Sequence, residues 1–330
     1  MERKIKLVAI IVVAVIIISS GIYIAEVYGY HPENKKGIEL TVDSNVTGLH
    51  FDKIVSLDPS VTATLYAIGS IKDVTGIYAY PGLWPGSNVT GNITGISAYP
   101  DMNVEEILNL SPQAVISFSD YKQSQINELL NAGIDYIFLS SGANTTFNVI
   151  EKQDTFLGEI TGNSKNATLL NNWINNSLND FKNVDVKNET AMYAMCIYDG
   201  KTYTAGNNTF IASMMKYSHL INIANGSSFY QISNEVIASK NISTLILGAS
   251  FNSTYLNMTP YSQTYAVLHH KYYMAFSYNI FAEPNFRNIF AIQWMISNVF
   301  NKNVTIPQFP FHLNDSPEPG TVVNIENNPQ

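Results

Sequence analysis

The sequence predicts an α/β fold of two lobes joined by a long helix and preceded by one N-terminal transmembrane helix. Three observations carry this expectation. Short β-type runs alternate with helical stretches, the pattern of parallel sheets crossed by helices. Residues 147–181 show helical periodicity with no strand signal, and they separate two such alternating regions. The chain opens on a basic segment followed by a long apolar run.

That opening holds Arg3, Lys4 and Lys6, and residues 7–25 then carry no charge. At about 1.5 Å per residue such a run spans roughly 28 Å, the thickness of a hydrocarbon core. Its basic flank belongs in the cytoplasm, which puts everything after Glu26 outside. A cleaved signal peptide with its core at 7–18 and small residues at Ser19-Ser20-Gly21 is the alternative, and both readings export the chain. Fifteen Asn-x-Ser/Thr sequons agree with export, since chance placement of these residues predicts about six. They point to a surface glycoprotein.

Composition excludes several classes. With 46% hydrophobic and only 13% charged residues the chain is globular rather than disordered. A net charge of −8 leaves no basic footprint for nucleic acid. The single cysteine, Cys196, forms no disulfide within a monomer and lies in an apolar run, which makes it a buried strand thiol.

Residues 27–50 read as a tether. The first lobe, 51–147, takes strands at 53–57, 74–77, 114–118 and 136–139 and helices at 61–68 and 123–131. Apolar residues then recur at helical spacings through a connecting helix, 148–185, in which Gly162 and Asn163 are candidate interruptions. The second lobe, 186–312, takes strands at 191–198, 244–247 and 272–276 and a last helix near 286–300. The tail, 313–330, is rich in Pro, Asn and Gly and reads as loose. One correspondence links the lobes: Asn103-Val104-Glu105-Glu106-Ile107 and Ser233-Asn234-Glu235-Val236-Ile237 each open a capped helix leading to a strand, at a constant offset of 130 residues. Both glutamates suit a helix dipole, and the equal spacing also fits two lobes of similar build.

These segments resemble the iron-chelate and vitamin B12 class of ABC-importer binding proteins. The resemblance rests on Ile54-Val55-Ser56-Leu57-Asp58-Pro59-Ser60-Val61-Thr62 with Leu65-Tyr66-Ala67-Ile68-Gly69, and on Met102 to Leu108 with Ser111 to Ile116. Tyr203-Thr204-Ala205-Gly206 with Phe210-Ile211, then Pro284 and Arg287, complete four blocks spanning about residues 50–302. Ala63 departs from the pattern, which commonly has Glu there. The resemblance implies two Rossmann-like lobes, ligand held between them, and a surface glutamate on each lobe docking arginines of an ABC permease; no cofactor is expected to be required for folding. Glu105 and Glu235 match those glutamates.

In such folds ligands lie beyond the C-terminal ends of the strands. Loops there carry Tyr78, Tyr80, Trp84, Tyr99, Phe118, Tyr121, Tyr198, Tyr203 and Tyr278. Aromatic walls suit a large, flat or partly apolar ligand such as a corrinoid, haem or aryl chelate, although each ring also fits an ordinary core place. The resemblance singles out Tyr99 as ligand-facing. Arg287, the one arginine after Arg3, suits either an anionic chelate or packing at a helix N-terminus. His269-His270 alone supplies too few ligands for a metal. The expected function is capture of a metal chelate by a monomer and delivery to an ABC importer. The alternatives are a zinc or manganese binder and a tethered hydrolase, for which no Gly-x-Ser-x-Gly, His-Glu-x-x-His or Walker A motif appears.

Overall fold

The first sheet is all parallel, in the order β1-β6-β5-β2-β3-β4. Its strands are β1 (Glu39–Thr41), β2 (Ile54–Ser56), β3 (Val74–Tyr78), β4 (Thr94–Ile96), β5 (Ala114–Ser117) and β6 (Asp135–Phe138). Helices α1 (Pro59–Ala67), α2 (Ser87–Thr90), α3 (Val104–Asn109) and α4 (Gln123–Asn131) fall between them. These coordinates come from a computed structural model that describes residues 36–80, 82–119, 121–139 and 145–317, with the side chain of Tyr278 also outside the description. The transmembrane segment and residues 27–35 of the tether lie outside the described residues. Among the described residues no helix is long and apolar enough to cross a membrane.

The second sheet is mixed, in the order β10-β8-β7-β11-β12 with β9 pairing β7. Its strands are β7 (Glu189–Tyr198), β8 (Lys201–Ala205), β9 (Leu220–Asn222), β10 (Phe229–Ile232), β11 (Thr244–Leu247) and β12 (Tyr272–Met274). β8 runs antiparallel to both β7 and β10, and the remaining pairs are parallel. Cys196 sits half-buried where the β7–β8 register shifts, and burial pushes its thiol up.

Between the sheets run α5 (Phe147–Ile160) and α6 (Ser164–Lys182). The single connecting helix expected over 148–185 is therefore two helices. Gly162 adopts φ +70°, a left-handed conformation that ends the first and reverses the chain. The two helices pack on each other, with α1 against α5 and with α11 (Asn288–Phe300) and α7 (Phe210–Tyr217) against α6. The approach is close at Gly158, where an added Cβ would lie 2.5 Å from the Cβ of Ala167. Thr64 Oγ1 donates to Asp154 Oδ1 at 3.0 Å, and Asn166 Nδ2 to the carbonyl of Ile68 at 2.8 Å, fixing the pair on α1. The short helices α8 (Asn234–Ser239), α9 (Tyr265–Leu268) and α10 (Tyr278–Ala282) complete the second lobe.

Strand burial explains the layering. Central strands are apolar on both faces, as parallel sheets covered by helices require. Ile54, Ala114, Ile116 and Ile137 of the first sheet share one apolar core with Ala191, Tyr193 and Ile246 of the second, through α5, α6 and α11. The opposite faces have separate cores, Val55, Val115 and Tyr136 in one and Met192, Leu245 and Leu247 in the other. Ala63, the departure noted in sequence, is fully buried in the shared core, where a glutamate would need a polar partner.

Two boundaries differ from the sequence reading. Glu39–Thr41, assigned to the tether, forms edge strand β1 against β6, because Leu40 is buried and the chain there pairs in register with Tyr136 to Phe138. Residues 313–317, assigned to the loose tail, are held by hydrogen bonds from Trp84, Gly86 and Arg287; residues 318–330 lie outside the described residues. The offset of 130 holds element by element: α3 at 104–109 and α8 at 234–239, β5 at 114–117 and β11 at 244–247.

The Gly158 contact gives a direct test. Gly158→Val should lower stability by about 1–3 kcal/mol through overpacking of α5 on α6. A denaturant titration that finds the variant as stable as the parent would contradict the close approach.

Candidate functional site

The candidate site is where loops leaving the C-terminal ends of both sheets meet. Asp58 follows β2 and caps α1, its carboxylate accepting from the backbone N–H of Ser60 at 2.7 Å, with Pro59 opening the helix. All nine residues of α1 are buried, so this end is fixed in place. The loop after β3 carries Tyr78 and Tyr80, whose rings stack at 5.8 Å and 21°. It continues through Gly82 to Pro85 into α2. These residues, with Pro59, Thr62, Ile77, Ser87 and Thr90, line a cavity of about 220 Å³. That volume holds part of a ligand, since pockets for whole small molecules are typically about 300–1,000 Å³.

The second lobe meets this rim directly. Asn279 Nδ2 donates to the carbonyl of Gly82 at 2.6 Å. The guanidinium of Arg287 lies 4.6 Å from the centroid of the Trp84 ring, while Tyr66 and Phe286 meet the same ring edge-on. Arg287 is only 6% exposed and donates Nε–H to the carbonyl of Pro317 at 3.1 Å. Its geometry is that of packing at the start of α11 rather than of an open anion contact.

Three buried carboxyls lie in or beside this junction. Burial pushes Glu283 up to about 8, with Arg287 opposing the shift and Asp58 adding to it. Burial pushes Asp58 up to about 6 against the pull of the N–H groups of Ser60 and Val61. Asp154, behind α1, rises to about 7 by burial, opposed by the Thr64 hydroxyl. Among the described residues Glu283 Oε2 and Asp154 Oδ2 have no hydrogen-bond partner, as fits carboxyls that hold their protons. Residue spacing carries no signal for Glu283, whereas Asp58 is legible as a helix cap.

The predicted aromatic residues divide into two groups. Tyr99 is 82% exposed, Tyr198 70% and Tyr80 52%. Tyr198 sits at the tip of the β7–β8 hairpin and Tyr99 follows β4. Tyr78 and Phe118 are half-buried at the ends of β3 and β5, and Tyr203 is half-buried in β8, its hydroxyl accepting from Gln231 Nε2 at 2.9 Å. Two others belong to the core. Tyr121 is buried and donates to the carbonyl of Ala98 at 2.7 Å, and Trp84 is 8% exposed. Tyr278 opens α10, with its side chain outside the description.

Glu105 and Glu235 occupy the same place in their lobes, each exposed and second in a six-residue helix capped by Asn103 or Ser233. The backbone N–H of Glu235 itself, and then the Ser233 hydroxyl, hold the Glu235 carboxyl below its usual range. The His269 ring lies against Tyr265 at 4.0 Å and 33° on the surface, and among the described residues no group of three His, Cys, Asp or Glu side chains could hold a metal ion.

A family model described as periplasmic binding protein matches residues 54–258, and the chain belongs to that family. It is an extracytoplasmic binding protein and not an enzyme. A curated relative from Halobacterium salinarum, named cobalamin-binding protein, is 27% identical over 60% of this chain and 54% of its own, so the chain spans about half of that relative's length. An uncharacterized ABC transporter substrate-binding lipoprotein of Bacillus subtilis, YvrC, is 26% identical over 67% of this chain and 71% of its own. The solved haem-binding protein HutB of Vibrio cholerae superposes with a TM-score of 0.65 at 16% identity, covering 74% of this chain and 97% of its own.

The carboxyls set a pH dependence. In the unfolded chain their values are near 3.8 for aspartate and 4.5 for glutamate, so the folded chain holds these protons more tightly. Stability is then highest when they are protonated and is lost as pH rises through about 6, 7 and 8. The urea midpoint should be higher at pH 5 than at pH 8.5. A midpoint that is flat or rises between those values would contradict the assignment.

Proposed function

We propose that this chain captures a metal chelate of the corrinoid, haem or iron-siderophore class between its lobes and delivers it to an ABC importer. One observation carries the reading: Tyr80, Tyr99 and Tyr198 stay exposed on loops that leave the C-terminal strand ends of the two lobes. Water-facing tyrosines offer large, rigid apolar contact at low entropic cost, with a hydroxyl for the polar rim of a chelate. Tyr78, Phe118, Tyr203 and Tyr278 complete the wall in this reading. Arg287 acts beneath it, through Trp84.

The cobalamin and haem proteins among the relatives support a large planar cargo. The transporter relative supports an importer as the receiving partner. Glu105 and Glu235 are the proposed docking points. Each is an exposed carboxylate on a capped helix, able to pair bidentately with a guanidinium group. A membrane anchor at residues 7–25 keeps the protein beside its permease. Glycosylation of the outer surface fits the sequons, because thirteen of the fourteen sequon asparagines within the described residues are exposed. The exception, Asn166, is half-buried and engaged with Ile68.

Replacing Tyr99 with Ala should weaken binding of cyanocobalamin or haemin several-fold, as loss of a contact of about 1 kcal/mol requires, with the melting temperature unchanged. Unaltered affinity would remove Tyr99 from the site. The double variant E105A/E235A should bind its cargo like the parent and fail to stimulate the ATPase of the reconstituted importer. Normal stimulation would leave the two glutamates with only a helix-dipole role.

A further inference from the structure

The chain continues beyond α11, and residues 304–317 run back from the second lobe to the rim of the first. Gln293 Nε2 of α11 donates to the carbonyl of Val304 at 2.7 Å. Trp173 Nε1 of α6 donates to the carbonyl of Pro307 at 2.8 Å. Phe309 then meets Trp173 edge-on at 5.1 Å and stacks on Phe286 at 5.4 Å and 22°. At the far end the backbone N–H of Asp315 donates to the Tyr66 hydroxyl at 2.9 Å. Asp315 Oδ2 accepts from the N–H of Gly86 at 2.8 Å, and the carbonyl of Ser316 accepts from Trp84 Nε1 at 2.9 Å.

The receiving loop is the wall of the 220 Å³ cavity, which Trp84 and Pro85 line. Residues 82–86 belong to no strand or helix, so no sheet ladder holds them. Among the described residues, their side-chain hydrogen bonds to other segments come from Asn279 on one side and from the strap on the other. Loops held in this way lose order when a tie is cut, and order before binding lowers the entropic cost of a ligand.

We propose that the strap, residues 304–317, positions the Trp84 loop and so sets the shape and affinity of the first-lobe cavity that this loop lines. Asp315 is the positioning residue. Its carboxylate and the adjacent Ser316 carbonyl hold the loop from outside, while the tyrosines face the cargo. The proposal rests on the cavity being part of the cargo site.

The test compares the full chain with D315A, with D315N, and with a chain ended after Asn303. D315A keeps the Asn314 sequon and removes both the acceptor for Gly86 and a charge that favours the Arg287 cation, whereas D315N loses the same charge but keeps an oxygen for Gly86, so the pair isolates the hydrogen bond. Hydrogen exchange needs no ligand: the amides of Trp84 and of residues 86–90 should exchange tenfold faster or more in D315A and in the shortened chain, and at close to the parental rate in D315N. Titration with cyanocobalamin and haemin should show several-fold weaker binding in D315A, mainly through faster release, with recovery in D315N. Parental exchange in D315A overturns the proposal. So does faster exchange with affinity unchanged within twofold. If the parent binds neither probe, the cargo reading fails, and the exchange rates alone decide whether the strap holds the loop. If the shortened chain does not fold, the D315A and D315N pair decides.

Discussion

The arrangement depends on one apolar layer that belongs to both lobes. The inner faces of the two sheets do not end in separate cores. Ile116 and Ile137 on one side and Tyr193 and Ile246 on the other are buried in a single cluster with Leu157, Trp173 and Phe290 from the helices between. Separating the lobes would expose that layer to water, at a cost that scales with apolar area. The groups at the strand ends of the two lobes are therefore held at set positions by that shared packing.

That constraint accounts for the chemistry at the junction. Trp84 closes the edge of the layer, covered by Tyr66, Phe286 and the guanidinium of Arg287. Arg287 is buried, and burial pushes it down to about 10 while Glu283 works the other way. Burial pushes both Asp58 and Glu283 toward the protonated form, and the Asp58 charge adds to the shift at Glu283. The charge balance thus joins α1 of the first lobe to the start of α11 in the second. Tyr80 stays exposed on the loop that carries Trp84 and lines the same cavity.

Much of the fold was legible because its signals are local. The Asp58-Pro59 cap, the helix at 123–131 and the runs that became β2, β3, β5 and β6 follow from capping chemistry and apolar periodicity. The offset between Glu105 and Glu235 was legible for the same reason, since each helix and strand repeats the spacing. The features that escaped depend on distant partners. Glu39–Thr41 is too short and polar to read as a strand until β6 lies beside it. Residues 313–317 look loose until Trp84 and Gly86 supply donors. Gly162 and Asn163 were visible as an interruption, but the reversal into a hairpin required the left-handed conformation at Gly162 and the contact of Gly158 with Ala167. Among the aromatic residues, the sequence could not separate exposed Tyr99 from buried Tyr121, because both follow strand ends.

The claim at the centre of the account is that the lobes hold a metal chelate. Absorption spectroscopy of the purified chain, titrated with cyanocobalamin, haemin and a ferric siderophore, tests it most directly. Saturable one-to-one binding of one of the three is expected, with a shifted spectrum and strong preference over free metal ions. No saturable change with any of them, or equal binding of free zinc or manganese, would contradict it.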